Sequence, residues 1–301
     1  MIRLITIFCV ISSLALTLGC EREESDSEPK STQASETTIV DFWSGNRSQA
    51  RQIYERQVLE AILDATKTDY GPWKISETME EYPGQKESLV FTEQDHDLFV
   101  TIAGNKKFEQ DDMIVVPHPI AKNLLGYRIA IIREADAEKF NAVDQLKDIQ
   151  KLTHGIPETW SDATIFRHNG FQVSEQGDFG NIFDRLAEGR FDYSAYGANE
   201  VLGIYDNRAS KREGLVIEDN LVFFYPFPLV FYINPEQVEV AERVESGLQA
   251  IIDSGKLDRI YNQHYGNIVN ELELNKRQLF ILENPLIPEA FRDLSPGLEK
   301  L

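Results

Sequence analysis

The chain has 301 residues, 42% of them apolar and 27% charged, which suits one or two folded domains with a sizeable core. Thirty Lys and Arg stand against fifty Asp and Glu, a formal charge of −20. A field of that sign repels polyanions, and the longest basic runs, Lys106-Lys107 and Lys211-Arg212, are too short to form an overriding patch, so nucleic acid is excluded as a partner.

Arg3 is followed by an uncharged stretch of 15 residues, Leu4 to Leu18, closed by Gly19 and Cys20. This is the outline of a secretion signal over residues 1–20. As a helix at roughly 1.5 Å per residue the stretch reaches about 22 Å, short of the roughly 30 Å hydrocarbon core. The run Leu16, Thr17, Leu18, Gly19, Cys20 resembles a bacterial lipoprotein signal. That resemblance implies a lipidated Cys20 as the first mature residue, loss of Cys9 with the signal, and a periplasmic protein held to a membrane of the cell envelope by its lipid. Plain secretion is the alternative. Residues 21–37 hold six acidic and two basic residues among Ser, Thr and Pro, with no bulky apolar side chain. They read as a disordered acidic tether.

Thr38 to Trp43 then reads as a strand, and Ser48 to Thr66 as a helix with Ile53, Val58, Leu59, Ile62 and Leu63 largely on one face. Strands are expected near Trp73 to Glu77, Leu98 to Ala103 and Met113 to Val116. Beyond Pro117 and Pro119 a second unit begins with a strand, Gly126 to Arg133, whose Ile129, Ala130, Ile131 and Ile132 suit a fully buried position. A short helix at Val143 to Ile149 follows, then a strand at Lys151 to His154 that stops at Gly155. Ser161 to His168 reads as a helix capped by Ser161 or Thr159, Phe171 to Ser174 as a strand, Asn181 to Glu188 as a helix and Phe191 to Tyr196 as a strand. Leu221 to Ile233, broken by Pro226 and Pro228, reads as a return crossing. Two helices follow, the first with a core stripe of Val238, Ala241, Val244, Leu248, Ile251 and Ile252, the second running to Tyr265. The chain ends in a charged helix and a Pro-bearing tail. Alternating strands and helices with short links define an α/β fold with mainly parallel sheets.

Sequence signatures of catalysis are missing: there is no Gly-x-Ser-x-Gly elbow, phosphate loop, dinucleotide fingerprint or His-Glu-x-x-His helix. Asp95, His96 and Asp97 read as a solvated acidic turn rather than a metal site, because adjacent residues of one loop rarely complete a coordination shell. No metal and no cofactor is expected.

Gly189, Phe191, Asp192 and Tyr193, with the ending Gly247, Leu248, Ile252, Gly255, Tyr261, Tyr265 and Gly266, resemble the bacterial extracellular solute-binding proteins of family 3. The resemblance runs from about Thr38 to Gly266. It implies a two-lobe periplasmic-binding-protein-like (type II) fold with two crossing hinge strands, at Pro117 to Asn123 and Leu221 to Pro228. On this reading residues 38–120 form the first part of lobe one, 121–220 lobe two, and 221–301 the hinge return, the rest of lobe one and the C-terminal helices. The implied function is non-enzymatic: a monomer that closes on a small polar, amino-acid-like solute and delivers it to an ABC-type permease. A ligand sensor that signals to a membrane partner is the alternative, and a cell-wall hydrolase using Glu200 or Asp192 is a third reading.

Transfer of the ligand residues exposes a departure. Where the family places a carboxylate-gripping Arg after a Thr-bearing strand, this chain has Thr101 followed by Lys106 and Lys107, and a lysine lacks the bidentate fork. The family's lobe-two Asp falls near Gly197, with Glu200 close by. Thr159 and Ser161 would offer hydroxyls to an anion at a helix start or simply cap that helix. Trp43 and Tyr196 would stack on the ligand from opposite lobes or belong to the core. Tyr225 and Phe227 read as packing. The candidate ligand set is therefore Trp43, Thr101, Lys107, Thr159, Ser161 and Tyr196.

Overall fold

The computed structural model describes residues 36–109 and 112–298. The signal stretch, Cys20 and the tether as far as Ser35 lie outside the described residues.

Strands and helices alternate along the chain and fold into two separate sheets. The order is β1 (Thr38–Trp43), α1 (Gln49–Ala65), α2 (Lys67–Tyr70), β2 (Trp73–Thr78), β3 (Leu98–Ile102), β4 (Ile114–Val116), β5 (Tyr127–Arg133), α3 (Ala137–Asn141), α4 (Leu146–Ile149), β6 (Thr153–Ile156) and α5 (Ser161–His168). It continues with β7 (Gln172–Glu175), α6 (Ile182–Ala187), β8 (Tyr193–Gly197), α7 (Val201–Asn207), β9 (Leu215–Ile217), β10 (Leu221–Phe224), β11 (Leu229–Ile233), α8 (Val238–Asp253), α9 (Lys256–Tyr265), α10 (Ile268–Glu271) and β12 (Gln278–Ile281).

Lobe one is built on the sheet β2-β1-β3-β11-β4, in which β1 runs parallel to β2 and β3 while β11 is antiparallel to β3 and β4. Its outer layer is α1 packed on α8 and α9. Lobe two is built on β12-β10-β5-β8-β6-β7, with β9 on the far stretch of β5. Ile129 to Ile132 of β5 are buried throughout, as their unbroken apolar run demands.

The chain passes between the sheets from β4 to β5 and again from β10 to β11. The two passages are bonded to each other: Ile120 N–H donates to the Leu229 carbonyl at 3.0 Å, and Phe227 N–H to Asn123 Oδ1 at 2.7 Å. They approach so closely that a Cβ on Gly126 would lie 2.3 Å from the Tyr225 carbonyl oxygen, so glycine is required there. Pro226 and Pro228 mark the point where one expected segment, Leu221 to Ile233, changes sheets: β10 belongs to lobe two and β11 to lobe one.

Several local expectations are corrected. The strand expected to stop at Gly155 runs through it to Ile156, because the Phe191 ring lies over that glycine where a Cβ would meet it at 2.3 Å. α5 is capped by neither Ser161 nor Thr159; Trp160 holds the N-cap position with no side-chain bond. Ile53 and Val238, placed on the core stripes of α1 and α8, are 53% exposed each, and Tyr54 and Val240 take the buried phase. Of the expected solvated turn Asp95 to Asp97 only Asp95 is exposed: His96 is buried, 2.7 Å from Asp41 Oδ1 through Nδ1 and 3.2 Å from the Tyr82 hydroxyl through Nε2, and Asp97 accepts the Asp41 N–H at 2.8 Å.

The C-terminal segment differs most from expectation. Beyond the short α10 it forms β12, parallel to β10 at the edge of the lobe-two sheet. The chain then turns back. Asn284 donates to the Pro226 carbonyl at 2.7 Å, and Phe291 enters the lobe-one aromatic cluster of Trp43, Phe91, Phe99, Phe108 and Tyr232. Gly297 N–H reaches the Tyr127 hydroxyl at 2.8 Å. A strap that starts on one sheet and packs on the other therefore runs beside the two hinge passages.

Candidate functional site

Strands of both sheets deliver their connecting loops to the space between the lobes, the usual place for a small-ligand site. Two cavities lie there, an inner one of about 130 Å³ and an outer one of about 670 Å³. Asn46, Arg47, Glu87 and Lys107 of lobe one and Thr159, Trp160 and Phe179 of lobe two line both, so the two cavities adjoin along these residues, called here the neck. The lobes touch around it. Ser48 Oγ donates to Glu200 Oε2 at 3.3 Å, Lys106 Nζ to Thr164 Oγ1 at 3.3 Å, and Arg208 stands 3.9 Å from Glu81.

The inner wall is densely charged, and most of those charges are matched. In lobe one Arg47 and Arg51 share the wholly buried carboxylate of Glu55, at 3.1 and 2.7 Å. Burial and Glu55 act in opposite senses on the two guanidiniums: Arg47 is lowered to about 10, whereas the pKa of Arg51 ends above its ordinary value through Glu55 and Glu200. Lys107 pairs with Glu87 at 2.5 Å, and Asn105 bridges Glu87 to the Thr101 hydroxyl. In lobe two Arg128 on β5 meets Asp162 of α5 at 2.6 Å, and Asp162 also accepts the Tyr225 hydroxyl at 2.6 Å. Burial disfavours the Arg128 cation, but Asp162 carries its pKa above the ordinary value.

Glu200 is the exception. It is 8% exposed, lines the inner cavity and, among the described residues, has no cation within ion-pair distance; the Ser48 hydroxyl donates to its carboxylate. Arg128 Nε and Thr159 Oγ1 are buried there and have no hydrogen-bond partner among the described residues. Thr159 also holds φ +71°, a left-handed backbone that a β-branched residue rarely adopts and that costs about 1–3 kcal/mol. Its hydroxyl faces Gly84 of lobe one, where a Cβ would lie 2.3 Å from Oγ1.

Four of the six candidate ligand residues, Thr101, Lys107, Thr159 and Ser161, line the inner cavity together. Trp43 and Tyr196 do not, and both are 0% exposed. The Trp43 indole N–H is spent on the Glu80 carbonyl at 2.9 Å, Tyr82 stacks on its ring, and the Arg47 guanidinium lies 4.8 Å from the ring centroid, between it and the cavity. Tyr196 accepts the Ser194 hydroxyl and packs behind Trp160 and Phe179, which are the lobe-two aromatics that reach the cleft. Asp192, offered for a hydrolytic reading, instead receives the Thr153 N–H at 2.8 Å at a strand edge and lines neither cavity.

Sequence reasoning passed over Arg47, Arg51, Glu87, Arg128 and Asp162. Their one visible signal is position, since Arg47 lies in the loop that follows β1 and Asp162 is next to the candidate Ser161.

Two sheets, two bonded hinge passages and an interlobe cleft define the two-lobed fold of periplasmic binding proteins. Solved structures agree. An ancestral arginine-binding protein bound to arginine superposes with a TM-score of 0.54 at 14% identity, over 76% of this chain and 98% of that one. A periplasmic binding protein of Salmonella typhimurium, described for its high arginine specificity, gives 0.55 at 9% identity over 76% and 100%. A histidine kinase sensor domain with similarity to periplasmic binding proteins gives 0.54 at 13% identity over 77% and 97%. No model of a protein family matches the chain, and neither does any curated protein sequence.

Proposed function

We propose that this protein is a non-enzymatic, extracytoplasmic receptor that closes its lobes over a small amino-acid-like solute and delivers it to an ABC-type permease. The observation that carries the reading is the buried, under-partnered carboxylate of Glu200 opposite the start of α1. It supplies, three residues on, the acceptor that the sequence lacks at Gly197, and an ammonium group satisfies it. The solute's carboxylate would be received by Arg128 Nε with the Thr159 and Ser161 hydroxyls at the uncapped start of α5. An inner cavity of about 130 Å³ suits the head of an amino acid, since about 150 Å³ accommodates benzene. The arginine-binding structural neighbours support the same reading. Lipidation of Cys20 would anchor the protein, as a monomer, beside its permease.

Thermal unfolding against a panel of amino acids tests the proposal, because a ligand of the folded state raises the melting temperature by mass action. Glu200→Gln is expected to weaken the best ligand by about 10- to 100-fold, the worth of a hydrogen bond to a charged group. If no amino acid stabilises the protein, the receptor reading fails. The likeness to a kinase sensor domain supports a second reading, in which the closed form signals to a membrane partner; co-purification with a kinase rather than a permease would favour it.

A further inference from the structure

A side chain that extends from the inner cavity into the outer one runs along the residues that line both. On lobe one the neck is lined by Asn46, Arg47, Glu87 and Lys107. Glu87 and Lys107 neutralise each other at 2.5 Å. Arg47 is left. Its guanidinium is held rigidly, 4.8 Å from the Trp43 ring centroid and 5.3 Å from that of Phe99, with Nε 3.0 Å from the Val100 carbonyl and the two terminal nitrogens bonded to the Gly45 and Val100 carbonyls. Guanidinium carries five N–H donors. Three are used, so one on each terminal nitrogen remains for the cleft. Glu55 lies 3.1 Å from Arg47 Nε and 2.7 Å from Arg51 Nη2, so one carboxylate is shared between two guanidiniums and the three groups together keep a net positive charge. Burial lowers the Arg47 pKa to about 10, which still leaves it a cation at neutral pH.

We propose, resting on the receptor reading above, that Arg47 is the specificity-determining residue of the cleft: it selects amino acids whose side chain ends in a carboxamide or carboxylate and rejects basic ones. A solute guanidinium or ammonium at the neck would meet a fixed like charge that cannot turn away, because two aromatic rings and two backbone carbonyls hold it. An amide or carboxylate oxygen would meet two unspent donors. The inference separates this chain from the structural neighbours described as arginine-binding, whatever their similarity of fold.

Isothermal titration of the purified protein with L-glutamine, L-glutamate, L-arginine and L-lysine tests it. L-Glutamine or L-glutamate is expected to bind more tightly than either basic amino acid by a factor on the order of 100 or more, the penalty of juxtaposed like charges. Arg47→Met is expected to shrink that ratio to within about tenfold by relieving the repulsion. Should the variant fold poorly, the wild-type ratio still decides. L-Arginine or L-lysine binding the wild type as tightly as L-glutamine and L-glutamate overturns the role of Arg47 while leaving the receptor reading intact. Absence of binding by any amino acid overturns the receptor reading and this inference with it.

Discussion

Removing the Asp162 carboxylate should be among the most damaging single changes in the cleft. Asp162 is 4% exposed and stands 2.6 Å from Arg128 Nη2, and the other bonds of Arg128 are long, 3.3 Å each to the Leu125 and Ala195 carbonyls. Asp162→Ala therefore strands a buried cation, which costs about 3–5 kcal/mol. It also strands the Tyr225 hydroxyl, which is fully buried and donates to the same oxygen. That adds up to about 1 kcal/mol once the shared loss is discounted. A total near 4–5 kcal/mol is a large fraction of the about 5–15 kcal/mol available to a folded domain. Urea unfolding at pH 7 of Asp162→Ala, Arg128→Met and the double variant measures it. The double variant should be less damaged than the sum of the singles by about 3 kcal/mol, because it leaves no orphan charge. A loss below about 1 kcal/mol in Asp162→Ala, or additivity within about 0.5 kcal/mol, would show that the pair is not the internal neutralisation described above.

Further outcomes follow from two elements outside the cleft, the C-terminal strap and His154. Phe291→Ala should cost about 3 kcal/mol by emptying a place in the lobe-one aromatic cluster, and deletion of residues 284–301 should widen the lobe separation seen by small-angle scattering; an unchanged scattering profile would mean the strap restrains nothing. His154 is buried against Tyr193 and accepts the Ala195 N–H, and desolvation, aided by Arg128, depresses its pKa well below the ordinary value of 6.5. The unfolded chain therefore binds the extra proton first. The stability that His154 contributes is present above about pH 6.5 and is lost as pH falls through it, at up to about 1.4 kcal/mol per pH unit. The His154 ring resonances should not titrate between pH 8 and 6; a midpoint near 6.5 would contradict its burial.

Local sequence carried the alternation of strands and helices, the buried run of β5, the hinge positions near Pro117 and Pro226, and the membership of Thr101, Lys107, Thr159 and Ser161 in one cleft, because periodicity, proline geometry and loop position act over a few residues. The direction of long side chains depends instead on distant partners. Trp43 turned inward because Glu80 and Tyr82 were there to receive it, and Tyr196 because Trp160 and Phe179 cover it. Lys107, read as a carboxylate grip, met Glu87. Strand β12 is four residues that only pairing with β10 makes a strand. Charges buried in a low-dielectric cleft must be matched one against another, and that matching joins residues as far apart in sequence as Arg128 and Asp162, which only the assembled tertiary structure brings face to face.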